Sequence, residues 1–116
     1  MAASEVHRLQ AGLLRAVAHP LRIRILELLA GTERSVGELM ALTGAEASQL
    51  SHHLGVLRAA GVLASRREGS NVYYRISDPR TLHLLATSRE ILATSLSESG
   101  EVLDELRPTQ PVAEPR

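Results

Sequence analysis

The sequence of 116 residues contains no cysteine and no lysine, and aromatic residues make up only 2% of it. Without cysteine there is no disulfide framework, no cysteine zinc cluster and no thiol chemistry, so any metal site would need histidine and carboxylates. Two tyrosines are too few for a platform that stacks the bases of single-stranded nucleic acid. No apolar run reaches the roughly 18 residues that span a bilayer, and the first residues do not resemble a signal peptide. The sequence therefore predicts one small cytoplasmic domain with no membrane partner.

The motifs of enzymes are also missing. The sequence shows no phosphate-binding loop, no nucleophile paired with a base and no pair of carboxylates at a catalytic spacing. We therefore expect neither catalytic activity nor a cofactor.

The formal net charge is zero, but the charges are unevenly distributed. Residues 34–80 hold six arginines against four acids, whereas residues 81–116 hold three arginines against six acids. Between residues 47 and 77 four arginines face a single acid, Glu68. Arginine suits bidentate contacts to phosphates or bases, although a GC-rich genome produces the same preference over lysine. The middle of the chain is thus the part that could contact a polyanion.

Apolar residues at three- and four-residue spacing predict helices through the first sixty residues. Pro20 suits the first position of a second helix, and Gly31 suits its end. Ser35 and Glu38 form a capping box that opens a short third helix, which ends at Gly44. A fourth helix is predicted over roughly 47–60, and its second face is polar.

From residue 62 the spacing changes to that of strands. Residues 62–67 and 72–76 flank turn residues 68–71, which predicts a β-hairpin. A last helix follows Asp78-Pro79. Three of the five prolines lie beyond Arg107, which predicts a disordered tail at 108–116 after a domain of residues 1–107.

This order of elements is the layout of a winged helix-turn-helix: a mainly α fold with a small β-hairpin, α-α-α-α-β-β-α. The fourth helix would enter the major groove of DNA while the hairpin reaches the backbone. A polar helix face alone is usually only solvated, and it is the combination with the hairpin and the local positive charge that favours DNA. The predicted DNA-binding residues are Ser48, Gln49, Ser51, His52, Arg58, Arg66, Arg67 and Tyr73. Gln can pair bidentately with adenine, and Arg can neutralise phosphates.

Four segments carry a resemblance to a known family: A-H-P-L-R-I-R-I-L-E-L-L at 18–29, S-V-G-E-L at 35–39, L-S-H-H-L-G-V-L-R-A-A-G-V-L at 50–63 and R-R-E-G-S-N-V-Y-Y-R-I at 66–76. They resemble the ArsR/SmtB family of bacterial winged-helix repressors over roughly residues 8–96. The resemblance implies a transcriptional regulator, a repressor, that binds operator DNA and responds to an inducer. Two-fold symmetry of a homodimer would make the operator palindromic, with half-sites about one helical turn apart.

The family's homodimer pairs its first and last helices, and both helices carry an apolar stripe in this sequence. The residues that the resemblance places at the dimer interface are Val6, Leu9, Leu13, Val17, Leu85, Leu92 and Leu96. A monomer of this size could not cover all of them.

The family's metal sites do not carry over to this sequence. Its thiol sensors need cysteine, and its other metal ligands would fall on Asp78, Arg80, Ile91 and Thr94, of which only the aspartate is a usual ligand. His7 and His83 are the remaining metal candidates, with polar surface residues as the simpler interpretation. We expect no metal, and the sequence leaves the inducer unidentified.

A second hypothesis is a winged helix that has lost DNA binding and serves as a protein-interaction or dimerisation module. The acidic last third, from Glu98 to Glu114, could contact such a partner. Retardation of DNA at low salt distinguishes the two hypotheses.

Overall fold

The computed structural model describes residues 3–99 of the chain. The elements in chain order are α1 (Ala3–Val17), α2 (Pro20–Leu28), β1 (Arg34–Ser35), α3 (Val36–Thr43), α4 (Ala47–Ala59), β2 (Leu63–Glu68), β3 (Asn71–Ile76) and α5 (Arg80–Ser99). The tail predicted at 108–116 and the end of the domain predicted at 1–107 lie outside the described residues. No helix within 3–99 combines the length and the apolar composition that a membrane span needs.

The chain divides into two compact units between Asp78 and Pro79. The first unit contains α1 to β3 and therefore the whole predicted DNA-binding part. The second unit is represented among the described residues by the long helix α5.

Local signals place the ends of the helices as the sequence predicts. Pro20 begins α2, and the Nδ1 atom of His19 accepts a hydrogen bond of 3.1 Å from the backbone N–H of Leu21. Both bonds of the capping box are present, because Ser35 and Glu38 each accept from the other's backbone N–H at 3.1 and 2.8 Å. These bonds satisfy two donors that a helix start would otherwise leave free.

Strands β2 and β3 confirm the predicted hairpin, which we call the wing. Its register pairs Leu63 with Ile76, and its turn is shorter than predicted because the strands extend to Glu68 and Asn71. Gly69 has a φ of +64°, a conformation that suits the first position of a two-residue hairpin turn. The sequence did not predict β1, which pairs with β3 and gives a three-stranded antiparallel sheet in the order β1-β3-β2.

The core of the first unit lies between α2, α3 and α4. Seven large side chains are fully buried there: Ile25, Leu26, Leu29, Leu39, Leu50, Leu54 and Leu57. The stripe of α1 joins this core only at its end. Val17, which we expected at a dimer interface, is 4% exposed in the single chain, as is typical of a residue packed within its own unit, and α1 contacts α4.

The rest of the predicted dimer stripe is open on α1. Val6 is 44% exposed, Leu9 59% and Leu13 44%. Within α5, Leu92 is exposed, whereas Leu85 and Leu96 are half-buried. Exposed apolar groups at helical spacing are typical of a surface that another chain covers.

Candidate nucleic-acid interface

Helix α4 has one buried and one exposed face. Leu50, Leu54 and Leu57 are at most 1% exposed and attach the helix to the core. The polar residues that we predicted to contact bases are all exposed: Ser48, Gln49, Ser51 and His52. They fall in the first half of α4, after the left-handed Gly44 (φ +76°) that ends α3. The helix therefore offers short and planar hydrogen-bonding groups near its N-terminus, as entry into a major groove requires.

A histidine on the buried face holds α4 against α2. His53 is 7% exposed, and its ring lies 4.2 Å from the ring of His19, measured between centroids. Its Nδ1 atom is 3.4 Å from the Nη1 of Arg22. A guanidinium can only donate, so this geometry requires a neutral His53 that accepts at Nδ1.

Burial is the main cause of a lowered pKa of His53, and the charges of His19, Arg22 and His52 lower it further. In the unfolded chain His53 is protonated as the pH falls through about 6.5, whereas in the folded chain its protonation needs a lower pH. The titration of His53 therefore leaves the free energy of unfolding unchanged above about pH 7. Below about pH 6.5 it lowers that free energy, and the unfolding equilibrium constant rises by up to about tenfold per pH unit.

Urea unfolding at pH 7.5 and 5.5 measures this effect. We expect His53→Gln to lose part of the pH dependence and the exposed His52→Gln to keep most of it, because burial, the main cause of the lowered pKa of His53, is unchanged in that variant. An unchanged pH dependence in His53→Gln would contradict the assignment.

A shallow groove runs between α4 and the wing. It is lined by Ser51, Gly55, Arg58, Ala59, Leu63, Ser65, Arg66, Arg67, Val72 and Tyr74. We call it the α4–wing groove. Arg58 and Arg67 are exposed and border the same groove, although they are nine positions apart in sequence. Two guanidinium groups beside hydroxyl donors suit the backbone of a nucleic acid.

The two tyrosines take different positions in the wing. Tyr74 pairs with Ser65 and lines the α4–wing groove, whereas Tyr73 pairs with Arg66. Side chains alternate between the faces of a strand, so Tyr73 and Arg66 share the other face. The predicted DNA-binding residues include Tyr73 but not Tyr74 or Ser65, a cross-strand pair that lines the groove. The alternation of side chains along β3 shows that Tyr73 and Tyr74 lie on opposite faces of the sheet. It does not show which of the two faces borders α4.

Arg66 is engaged by carboxylates, unlike Arg67. Its Nε lies 2.9 Å from Glu33 Oε1, and its Nη1 lies 2.7 Å from Glu68 Oε1. Hydrogen bonding to Arg66 is the main cause of a lowered pKa of Glu33, and the bonds to Glu33 and Glu68 raise the pKa of Arg66. Among residues 3–99 the structure gives Arg58 and Arg67 no such ion pair.

The two histidines named as metal candidates lie on different helices. His7 is exposed on α1 and His83 is exposed on α5, and each belongs to a different unit. No group of three or more histidine, aspartate or glutamate side chains in the described part of the chain is placed to hold a metal ion.

Comparison with known proteins supplies a family. The model of the family described as bacterial regulatory protein, arsR family, matches residues 19–65. The chain is 48% identical over 108 residues to the uncharacterized HTH-type transcriptional regulator Rv0081 of Mycobacterium tuberculosis, an alignment that covers 92% of this chain and 95% of that protein.

Solved structures agree with the sequence match. The crystal structure of M. tuberculosis Rv0081 has a TM-score of 0.73 and 49% identity, covering 81% of this chain and 95% of that one. The homodimeric winged helix-turn-helix DNA-binding domain Mb0332 of Mycobacterium bovis has a TM-score of 0.72 and 30% identity, covering 84% and 95%. The transcriptional repressor BigR of Xylella fastidiosa has a TM-score of 0.65 and 31% identity, covering 78% and 96%.

Proposed function

The chain belongs to the ArsR family of bacterial regulatory proteins, and from that membership we propose that it is a sequence-specific transcriptional regulator that binds double-stranded DNA and acts as a repressor. The observation that carries the proposal is the exposed polar face of α4 beside a groove that holds Arg58 and Arg67. Residues for base edges and residues for the backbone thus lie on adjoining surfaces.

The two surfaces have different tasks. The α4 face, Ser48 to His52, reads base edges, with Gln49 as the side chain able to pair bidentately with adenine. Arg58 and Arg67 neutralise phosphates and supply most of the affinity that does not depend on sequence. Tyr74 adds a hydroxyl donor beside them.

The protein acts as a homodimer in this proposal. The open stripe of Val6, Leu9 and Leu13 on α1 supports it, as does the apolar surface of α5 at Ile91 and Leu92. A homodimeric relative of the same fold supports it as well. Two-fold symmetry then calls for a palindromic operator whose half-sites lie about one helical turn apart.

The remaining expectations from the sequence belong to the same proposal. The protein takes up no metal and no other cofactor, and it works in the cytoplasm, where its operator is. Metal analysis of the purified protein checks the first of these expectations, and a stoichiometric metal would contradict it.

Selection of bound fragments from genomic DNA, followed by a gel shift at low salt, tests the proposal. A regulator enriches a few palindromic sites, which it retards at nanomolar concentrations. The rival interaction module would enrich no site and would give no retardation at low salt, where even non-specific binding to DNA is visible.

Gln49→Ala is expected to change sequence preference more than general affinity. Loss of a bidentate base contact costs about 5- to 150-fold in affinity at each half-site, so a dimer loses at least about 30-fold on the selected operator, with little change for random DNA. Gln10→Ala, which removes an exposed glutamine from α1, is the matched control. Equal loss on operator and random DNA would show that Gln49 does not read a base.

A further inference from the structure

Arg66 makes an ion-pair network that crosses the sheet. Its Nε donates to both carboxylate oxygens of Glu33 at 2.9 and 3.1 Å, and its Nη2 lies 2.5 Å from Glu33 Oε1. Nη1 donates to Glu68 at 2.7 Å. The guanidinium carbon also lies 4.6 Å from the centre of the Tyr73 ring. Each of the three guanidinium nitrogens therefore has a carboxylate partner within the protein, and the Tyr73 ring lies beside the group.

We propose that Arg66 is a positioning residue of the wing and not a phosphate contact. Through Glu33 it ties β2 to the start of α3, which with α4 forms the helix-turn-helix. Arg67 and Arg58 are then the arginines that meet the DNA backbone in this part of the molecule. This inference rests on the proposed function and assigns different roles to two neighbouring arginines.

The electrostatics of the cluster oppose a phosphate. Arg75 lowers the pKa of Glu33 by its charge, so the cluster consists of two arginines and two carboxylates and has no net charge. A phosphate that reached Arg66 would meet the charges of Glu33 and Glu68 at the same time. Arg67 lies on the opposite face of β2, where it pairs with Val72 and borders the α4–wing groove.

The partner of Arg66 stands on a fixed part of the chain. Glu33 directly precedes β1, and the neighbouring Arg34 donates from its Nε to the backbone carbonyl of Leu28 at 2.8 Å. Ser35 then pairs with Tyr73 and caps α3. The pair between Arg66 and Glu33 thus connects the wing to the segment that starts the helix-turn-helix.

An exposed ion pair on its own adds little, and side chains here are 43% and 31% exposed. The bidentate geometry and the second carboxylate restrict the orientation of Arg66, which is what a positioning role needs. We therefore expect a small effect on affinity and a clear effect on the order of the wing.

Operator binding by Glu33→Gln and Arg66→Ala separates the two roles by sign. If Arg66 positions the wing, each variant weakens binding by about threefold, and the double variant is no weaker than either one. If Arg66 contacts a phosphate, Glu33→Gln removes a competing anion and strengthens binding, which would overturn the proposal.

Salt dependence gives a second criterion. The logarithm of the binding constant falls as the logarithm of the salt concentration rises. Loss of one phosphate contact in each subunit of a dimer makes this slope less steep by about 1.8. We expect this for Arg67→Ala and an unchanged slope for Arg66→Ala. A slope that falls in Arg66→Ala would overturn the proposal.

Amide hydrogen exchange tests the inference without DNA. Glu33→Gln and Arg66→Ala should speed exchange in β1 and the wing but not in α4, and Arg67→Ala should leave all three unchanged. If the wild type bound no DNA, the proposed function would be wrong. The exchange measurement would still show whether Arg66 orders β1 and the wing. Unchanged exchange in the first two variants would refute the positioning role.

Discussion

Leu9→Glu combined with Leu13→Glu is expected to give a folded monomer that has lost at least about 100-fold in operator affinity. The two leucines are 59% and 44% exposed in the single chain, so glutamate there leaves the core intact. If α1 forms the dimer interface as we propose, the same positions are buried in the dimer, and two facing pairs of carboxylates would be desolvated without partners. A monomer engages only one half-site and loses the effective concentration that links the two.

Sedimentation measures whether the variant is a monomer, and circular dichroism measures whether it is folded. Arg8→Ala with Arg15→Ala changes the net charge by the same amount on the opposite side of α1 and should remain dimeric. A dimer that survives both glutamates would show that α1 does not form the interface. A monomer with full operator affinity would show that dimerisation is not needed for binding.

The second large effect concerns Arg58→Ala combined with Arg67→Ala. If each arginine neutralises one phosphate in each subunit, the dependence of log K on log salt becomes less steep by about 3.6. Affinity should fall alike for operator and random DNA, because phosphates carry no direct sequence information. Both side chains are exposed, so we expect little change in the free energy of unfolding.

Binding titrations from 50 to 300 mM salt provide the measurement. The double variant of Arg8 and Arg15 again removes two positive charges, away from the α4–wing groove. If it lowered the slope as much, the effect would come from net charge and not from the groove. A slope unchanged by Arg58→Ala with Arg67→Ala would place the DNA backbone elsewhere.

The parts of the fold that the sequence predicted correctly are those fixed by neighbouring residues. Pro20 begins a helix because its ring sets φ, and the Ser35–Glu38 capping box joins groups three positions apart. Gly44 ends α3 in a left-handed conformation. The wing follows from alternation over a dozen residues. Each signal acts within a few residues of the structure that it specifies.

What the sequence did not reveal depends on distant partners. The pair of Arg66 and Glu33 is 33 positions apart, so no local pattern marks Arg66 as engaged while Arg67 is open. Strand β1 has two residues and is too short for any periodicity. Val17 continues the stripe of α1, but periodicity does not show where the core ends. The base-reading residues of α4 stay predictions, supported by their exposure.

Ser35 belongs to two structures at once. Its backbone pairs with Tyr73 in the sheet, and its hydroxyl caps the helix that opens the helix-turn-helix. Fraying of either structure withdraws a partner from the other, so their local unfolding is cooperative. We therefore expect the amide hydrogens of the wing and of the start of α3 to exchange together, as those of one folding unit would.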